Sequence, residues 1–168
     1  MNEVLLCDAL RSFLEDALKD LAMRGKDGKF HPPKIVNGYL PLRKRRRPNE
    51  SPEDDEYPFV IVRAESGQLE REESGQASNT THVTFIVGAY SDPENLEDEN
   101  GHEFCLNALT RIRGAFGTLK GLCLEGKYIL KYPIVWKLLP EQPYPYWILE
   151  IETTWVFVGE RPKLEEFI

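Results

Sequence analysis

From Trp147 to Val158 the chain alternates without a break. Trp147, Leu149, Ile151, Thr153, Trp155 and Phe157 fall on one parity, and Ile148, Glu150, Glu152, Thr154, Val156 and Val158 on the other. Successive side chains of a strand point to opposite faces, so the pattern specifies a strand with one face on a core; a helix would not keep those six positions on one side. The residues before it are Gln142-Pro143-Tyr144-Pro145-Tyr146. The prolines fix φ and bias Gln142 and Tyr144 toward extended geometry, so Tyr144 and Tyr146 sit on a stiff ribbon suited to a packing anchor or a subunit contact.

A second alternating run, Lys127–Leu138, has Tyr128, Leu130, Tyr132, Ile134, Trp136 and Leu138 on the apolar parity and Lys127, Lys131 and Lys137 on the other. Paired antiparallel with the first run, its lysines would meet Glu150 and Glu152, each such pair contributing roughly 0.2–1 kcal/mol. Upstream, Tyr57-Pro58 opens an apolar strand at Phe59–Val62, and a second strand covers His82–Tyr90. Gly67–Ser78, rich in Gly, Ser and Glu, reads as a mobile hairpin connection. Residues 2–23 form an amphipathic helix with Leu6, Leu10, Phe13, Leu14, Ala17, Leu18 and Leu21 on one face. A second, from Glu103 to Leu119, gathers Cys105, Ala108, Leu109, Ile112, Phe116 and Leu119.

These elements predict an α+β single domain over residues 1–168. Its sheet has four strands, mixed or mainly antiparallel, with two helices on one face, in the order α-β-β-α-β-β. A chain of 168 residues, 41% of them apolar, is long enough to bury such a core. Trp136, Trp147 and Trp155 are expected to share it, as its largest structural residues.

Residues 24–56 follow no period. Lys26, Lys29, Lys34 and the run Arg43, Lys44, Arg45, Arg46, Arg47 give way abruptly to Glu50, Glu53, Asp54, Asp55 and Glu56. The stretch is expected to be a long charged insertion loop or arm. One reading is a solvated loop whose two halves neutralise each other; another is an arm that orders against an acidic neighbour during assembly. A nucleic-acid tract is the third, opposed by the adjoining acids and a net charge of −7.

No pattern for catalysis emerges. His31, His82 and His102 stand apart, and His102-Glu103 lacks the second histidine of a zinc-helix motif, since Leu106 occupies that position. Cys7, Cys105 and Cys123 are widely spaced and read as buried thiols. The acidic run Asp92–Glu99 lacks the alternation and central glycine of a calcium loop. The expectation is a protein that is not an enzyme, with no metal and no cofactor. No apolar run approaches the ~20 residues that span a bilayer, and Glu3 and Asp8 stand where a signal peptide would be basic, so no membrane contact is expected.

The Gln-Pro-Tyr-Pro-Tyr-Trp run leading into a Thr-Thr-Trp strand, preceded by a strand ending near Trp136, resembles the tail terminator and minor tail proteins of long-tailed bacteriophages and prophages. The likeness covers roughly residues 57–158, including Tyr57-Pro58 with its strand and the VTFIVGAYS strand. It implies a structural virion protein that forms a ring, usually of six copies, caps the tail tube and joins it to the head connector. The implied partners are further copies of the chain, the tail tube protein, the head-completion protein and DNA in transit, with the host cytoplasm as the place of assembly. Arg43, Lys44, Arg45, Arg46, Arg47, Gln142, Tyr144 and Tyr146 are then the candidate interface residues. Glu94, Glu97, Asp98 and Glu99, or the glutamates between 65 and 73, would line a channel from which DNA is repelled. The alternatives are a head-closure or neck adaptor and, more remotely, a nucleic-acid-associated factor using the basic arm.

Overall fold

The computed structural model describes residues 1–25, 28–39, 58–91, 101–141 and 146–159. Helix α1 spans Glu3–Ala17 and is opened by Asn2, whose side-chain oxygen accepts the Leu5 N–H at 3.0 Å. Leu6, Ala9, Leu10 and Leu14 are its buried stripe. The helix stops at Ala17 rather than near residue 23, yet Leu18, Leu21 and Met23 remain buried. The chain delivers them from a turn and from strand β1 (Met23–Arg24), which pairs antiparallel with β2 (Phe30–His31).

The main sheet is built from β3 (Lys34–Asn37), β4 (Phe59–Arg71), β5 (Ala77–Tyr90), β6 (Cys123–Leu124), β7 (Tyr128–Leu138) and β8 (Tyr146–Val158). Its order is β3-β4-β5-β8-β7-β6, with β3–β4 parallel and every other pair antiparallel. Helix α2 (Gly101–Gly117) lies between β5 and β6 in the chain.

The expected single four-stranded sheet in the order α-β-β-α-β-β is therefore incorrect: the described residues form two sheets, one of two strands and one of six. The additional strands are two to four residues long, too short to show a period. β2 and β3 fall inside the stretch expected to be a loop. β3 holds there because two apolar residues suffice beside an existing strand: Ile35 enters the main core opposite Val60, while Val36, opposite Ile61, packs on the other face. Residues 40–57, including the basic run Arg43–Arg47, lie outside the described residues.

The second departure is length. Gly67–Ser78 is not a connection: β4 continues to Arg71 and β5 begins at Ala77. A register-matched ladder joins Ser66–Arg71 to Ala77–His82 although Glu65–Arg71 are exposed. Cross-strand hydrogen bonds, rather than burial, keep this ribbon extended. The turn at its tip closes through Glu72 N–H to the Gln76 carbonyl and Gly75 N–H to the Glu72 carbonyl, Gly75 taking a φ of +83°.

Both helices pack on one face of the sheet. There Val60, Val62, Val83, Phe85, Val87, Leu149, Ile151, Trp155 and Phe157 meet Leu6, Leu10, Leu14, Ala108, Leu109, Ile112 and Phe116. The Phe116 ring organises the centre, stacked on Phe13 at 5.7 Å and edge-on to Trp155 at 5.4 Å. The Trp155 indole N–H donates to Thr153 Oγ1 at 2.9 Å, and that hydroxyl donates onward to the Val83 carbonyl at 2.8 Å. The opposite face carries a smaller buried cluster, Phe59, Ile61 and Ile86. On that face β7 and β8 pair antiparallel and Lys137 meets Glu150 at 3.3 Å, the kind of contact their alternation anticipates.

Candidate assembly surface

The two borders of the main sheet are its most distinctive surface. β6 pairs with only Tyr128 and Ile129 of β7, so from Leu130 to Leu138 no strand flanks β7 on that side among the described residues. At the other border β3 pairs with Phe59–Val62 of β4, and Gly38 N–H extends that ladder to the Val62 carbonyl. Arg63 closes the end of β3, its Nε donating to the Gly38 carbonyl at 3.0 Å while its guanidinium lies 4.2 Å from the Tyr39 ring centre. Past Ala64, whose amide reaches the Cys7 thiol, Glu65–Arg71 has no flanking strand among the described residues.

The borders differ in chemistry. Along β7, Tyr132, Val135 and Trp136 are exposed, at 62%, 49% and 43%. The ladder to β8 breaks between Lys131 and Val135, and Pro133, which has no N–H to offer, sits inside the break. Lys127–Leu138 contains three lysines and no acid, whereas Glu65–Glu73 contains four glutamates and one arginine.

Beside the β4 border is a cavity of about 550 Å³ between the start of α1 and the β4–β5 ribbon. Asn2 and Glu3 form one wall, and Gly67, Leu69, Asn79 and Thr81 lie opposite. Asn79 Nδ2 donates to Glu3 Oε1 at 2.8 Å and ties the two walls together. Thr81 is 2% exposed and its hydroxyl has no hydrogen-bond partner among the described residues. A Cβ at Gly67 would strike the Thr80 carbonyl, so the ribbon keeps its close strand pairing there by having no side chain.

The residues singled out from the sequence are distributed unevenly. Trp155 is fully buried and Trp147 is partly buried against the core, its ring close against Gly101. Trp136 departs from the expectation of a core residue. It is opposite Ile151, on the helix-side parity, yet remains 43% exposed. Tyr146 is half-buried, with its ring 5.8 Å from that of Tyr90. Gln142, Tyr144, Glu94, Glu97, Asp98 and Glu99 lie outside the described residues, as does the basic run. Of the alternative channel acids, Glu65, Glu70, Glu72 and Glu73 are exposed on the ribbon and its turn.

Reasoning from sequence missed the exposed border of β7 and the cavity. Pro133 within an alternating run was a usable signal for the first, because proline inside a strand marks an edge or a bulge. Gly67 was a weaker one for the second.

The titratable groups are dispersed. Among the described residues no three His, Cys, Asp or Glu side chains are grouped to hold a metal ion. His82 Nδ1 is 3.1 Å from Thr154 Oγ1, and the His102 ring is edge-on to Trp147 at 6.2 Å. Burial pushes the Cys105 thiol up to about 12. Cys7 is raised mainly by desolvation, against the opposing effect of the Ala64 amide, with Asp8 and Glu3 adding to the rise. Such thiols are protonated at neutral pH and are poor nucleophiles. The arrangement suits association through strand borders and aromatic contacts. No protein-family model matches the chain, and comparison with curated proteins gives no match.

Proposed function

We propose that the chain is a structural virion protein, a ring-forming tail terminator that caps the phage tail tube and joins it to the head connector. The resemblance of its Pro-Tyr-Pro-Tyr-Trp run and closing strands to that class supports the reading. The observation that carries it furthest is the main sheet whose two borders, among the described residues, are left open over part of their length, one lined by the exposed Tyr132, Val135 and Trp136. An open border with exposed apolar side chains, such as that of β7, is a liability in a solitary domain and an asset in a repeating assembly. A net charge of −7 suits a passage through which DNA must slide without sticking.

Light scattering and native mass spectrometry across a concentration series test the ring. The reading expects one closed oligomer, with six copies as the expected number, and expects added protein to arrest growth of purified tail tubes. A chain that remains monomeric at every concentration and leaves tube growth unaffected would rule it out.

A further inference from the structure

We propose that neighbouring copies join by strand addition, the open border of β4 in one copy (Glu65–Arg71) pairing antiparallel with the open border of β7 (Leu130–Leu138) in the next. The proposal rests on the ring reading and specifies its contact.

Direction supplies the first argument. Three antiparallel pairings separate β4 from β7, namely β4–β5, β5–β8 and β8–β7. The two borders therefore run in opposite senses. Set side by side with their helices on a common face, two copies present β7 antiparallel to β4, so the sheet continues with its usual hydrogen-bonding pattern. This contact is heterologous, and repeating it closes a ring or extends a fibre.

Backbone phase agrees. The Ala77 carbonyl accepts from Gly159 N–H on the β8 side, so its pairing partner Arg71 turns its own N–H and C=O outward. Alternation from there makes Leu69 and Gly67 outward as well. At the other border Leu139 N–H bonds to the Ile148 carbonyl. Counting back in twos from Leu139, Lys137 and Val135 turn toward β8, which leaves Leu138 and Trp136 outward. Both outward sets lie on the helix side, because Gly67 pairs with Thr81 and Trp136 with Ile151.

Side chains and charge complete the match. In a register joining Leu69 to Trp136, the indole lies diagonal to Gly67 and over the cavity, where it offers the N–H donor that Thr81 Oγ1 lacks. Leu130–Leu138 carries two lysines and no acid, and Glu65–Arg71 carries two glutamates and one arginine. The open stretches are staggered along the sheet: Leu130 is level with Gly67 through Trp155 and Thr81, and Leu138 with Val60 through Leu149 and Val87. A closed ring of such sheets must tilt its strands, as barrels do.

The test uses the full chain and two variants, each damaging one border. Leu69→Pro removes an outward N–H while sparing the β5 ladder, and Trp136→Glu places a charge in the other half of the contact. Each alone is expected to be folded by circular dichroism and monomeric at concentrations where the wild-type chain is assembled. An equimolar mixture is expected to yield a 1:1 heterodimer and nothing larger, because one intact contact remains. Either variant assembling like wild type, or a mixture that stays monomeric, overturns the proposal. Should a variant not fold, hydrogen exchange on the wild-type chain decides: amides of 67–71 and 134–138 are expected to slow at least tenfold on assembly, and unchanged exchange overturns the contact. An oligomer with unprotected borders refutes this contact alone, whereas a permanent monomer refutes the ring as well.

Discussion

Thr153 shows how one hydroxyl can hold two strands and a tryptophan in place. It donates to the Val83 carbonyl across β5–β8 and accepts from Trp155, with Thr153 only 2% exposed and Trp155 fully buried. Thr153→Val keeps the shape but orphans the buried indole N–H and leaves the Val83 carbonyl with its ladder partner alone, so a loss of about 2 kcal/mol is expected, near the penalty for a buried unsatisfied group. Urea denaturation followed by tryptophan fluorescence measures it. Cys105 makes a second prediction. With an ordinary thiol value of 9.0 in the unfolded chain and about 12 in the native one, its contribution is complete below pH 9. Between pH 9 and 12 the unfolded chain sheds a proton that the native chain keeps, so stability falls as pH rises. Cys105→Ala should flatten that part of the melting profile, and Cys105 should resist alkylation at pH 8 until the protein unfolds. At this scale the alternating pattern of the last strand made the burial of Trp155 legible. Trp136 was not legible, because parity reports the face a residue occupies and says nothing of whether anything covers it.

Among the elements, those legible in the sequence were those whose period is sustained: two helices and the cores of four strands. The limits of β4 and β5 were hidden because Ser66–Arg71 stays extended through its partner Ala77–His82 and not through its own apolar pattern. β3 was hidden for the same reason, being four residues that gain structure from β4. Helix α1 ends where extended backbone buries Met23 equally well. Its start rests on Asn2. Asn2→Ala is expected to cost about 1 kcal/mol, the usual worth of an N-cap, read as a lower thermal midpoint. Because Asn2 also lines the cavity, the same variant should weaken assembly if that cavity is occupied in the oligomer.

For the whole molecule, the sequence supported an α+β domain with both helices on one sheet face but not a six-stranded sheet accompanied by a two-stranded one. Its most conspicuous candidate interface residues are the basic run and the proline-tyrosine ribbon, while the exposed borders of β4 and β7 arise from which strands stop short of their neighbours. That property belongs to the assembled topology and has no local signature. The sheet is also covered unequally along its length. Phe59, Ile61 and Ile86 are buried on the face away from the helices, so the sheet is enclosed on both sides at that end, whereas residues 64–76 are exposed at the other. Thermal opening should consequently act like a zip with a fixed starting point: it begins at Glu72–Gln76 and halts where Phe59 lies against Gly88. In the monomer, amides of 66–71 should exchange orders of magnitude faster than those of Val60–Val62, an ordering that hydrogen-exchange mass spectrometry resolves. The end that loosens first is the one with room to accept a neighbour.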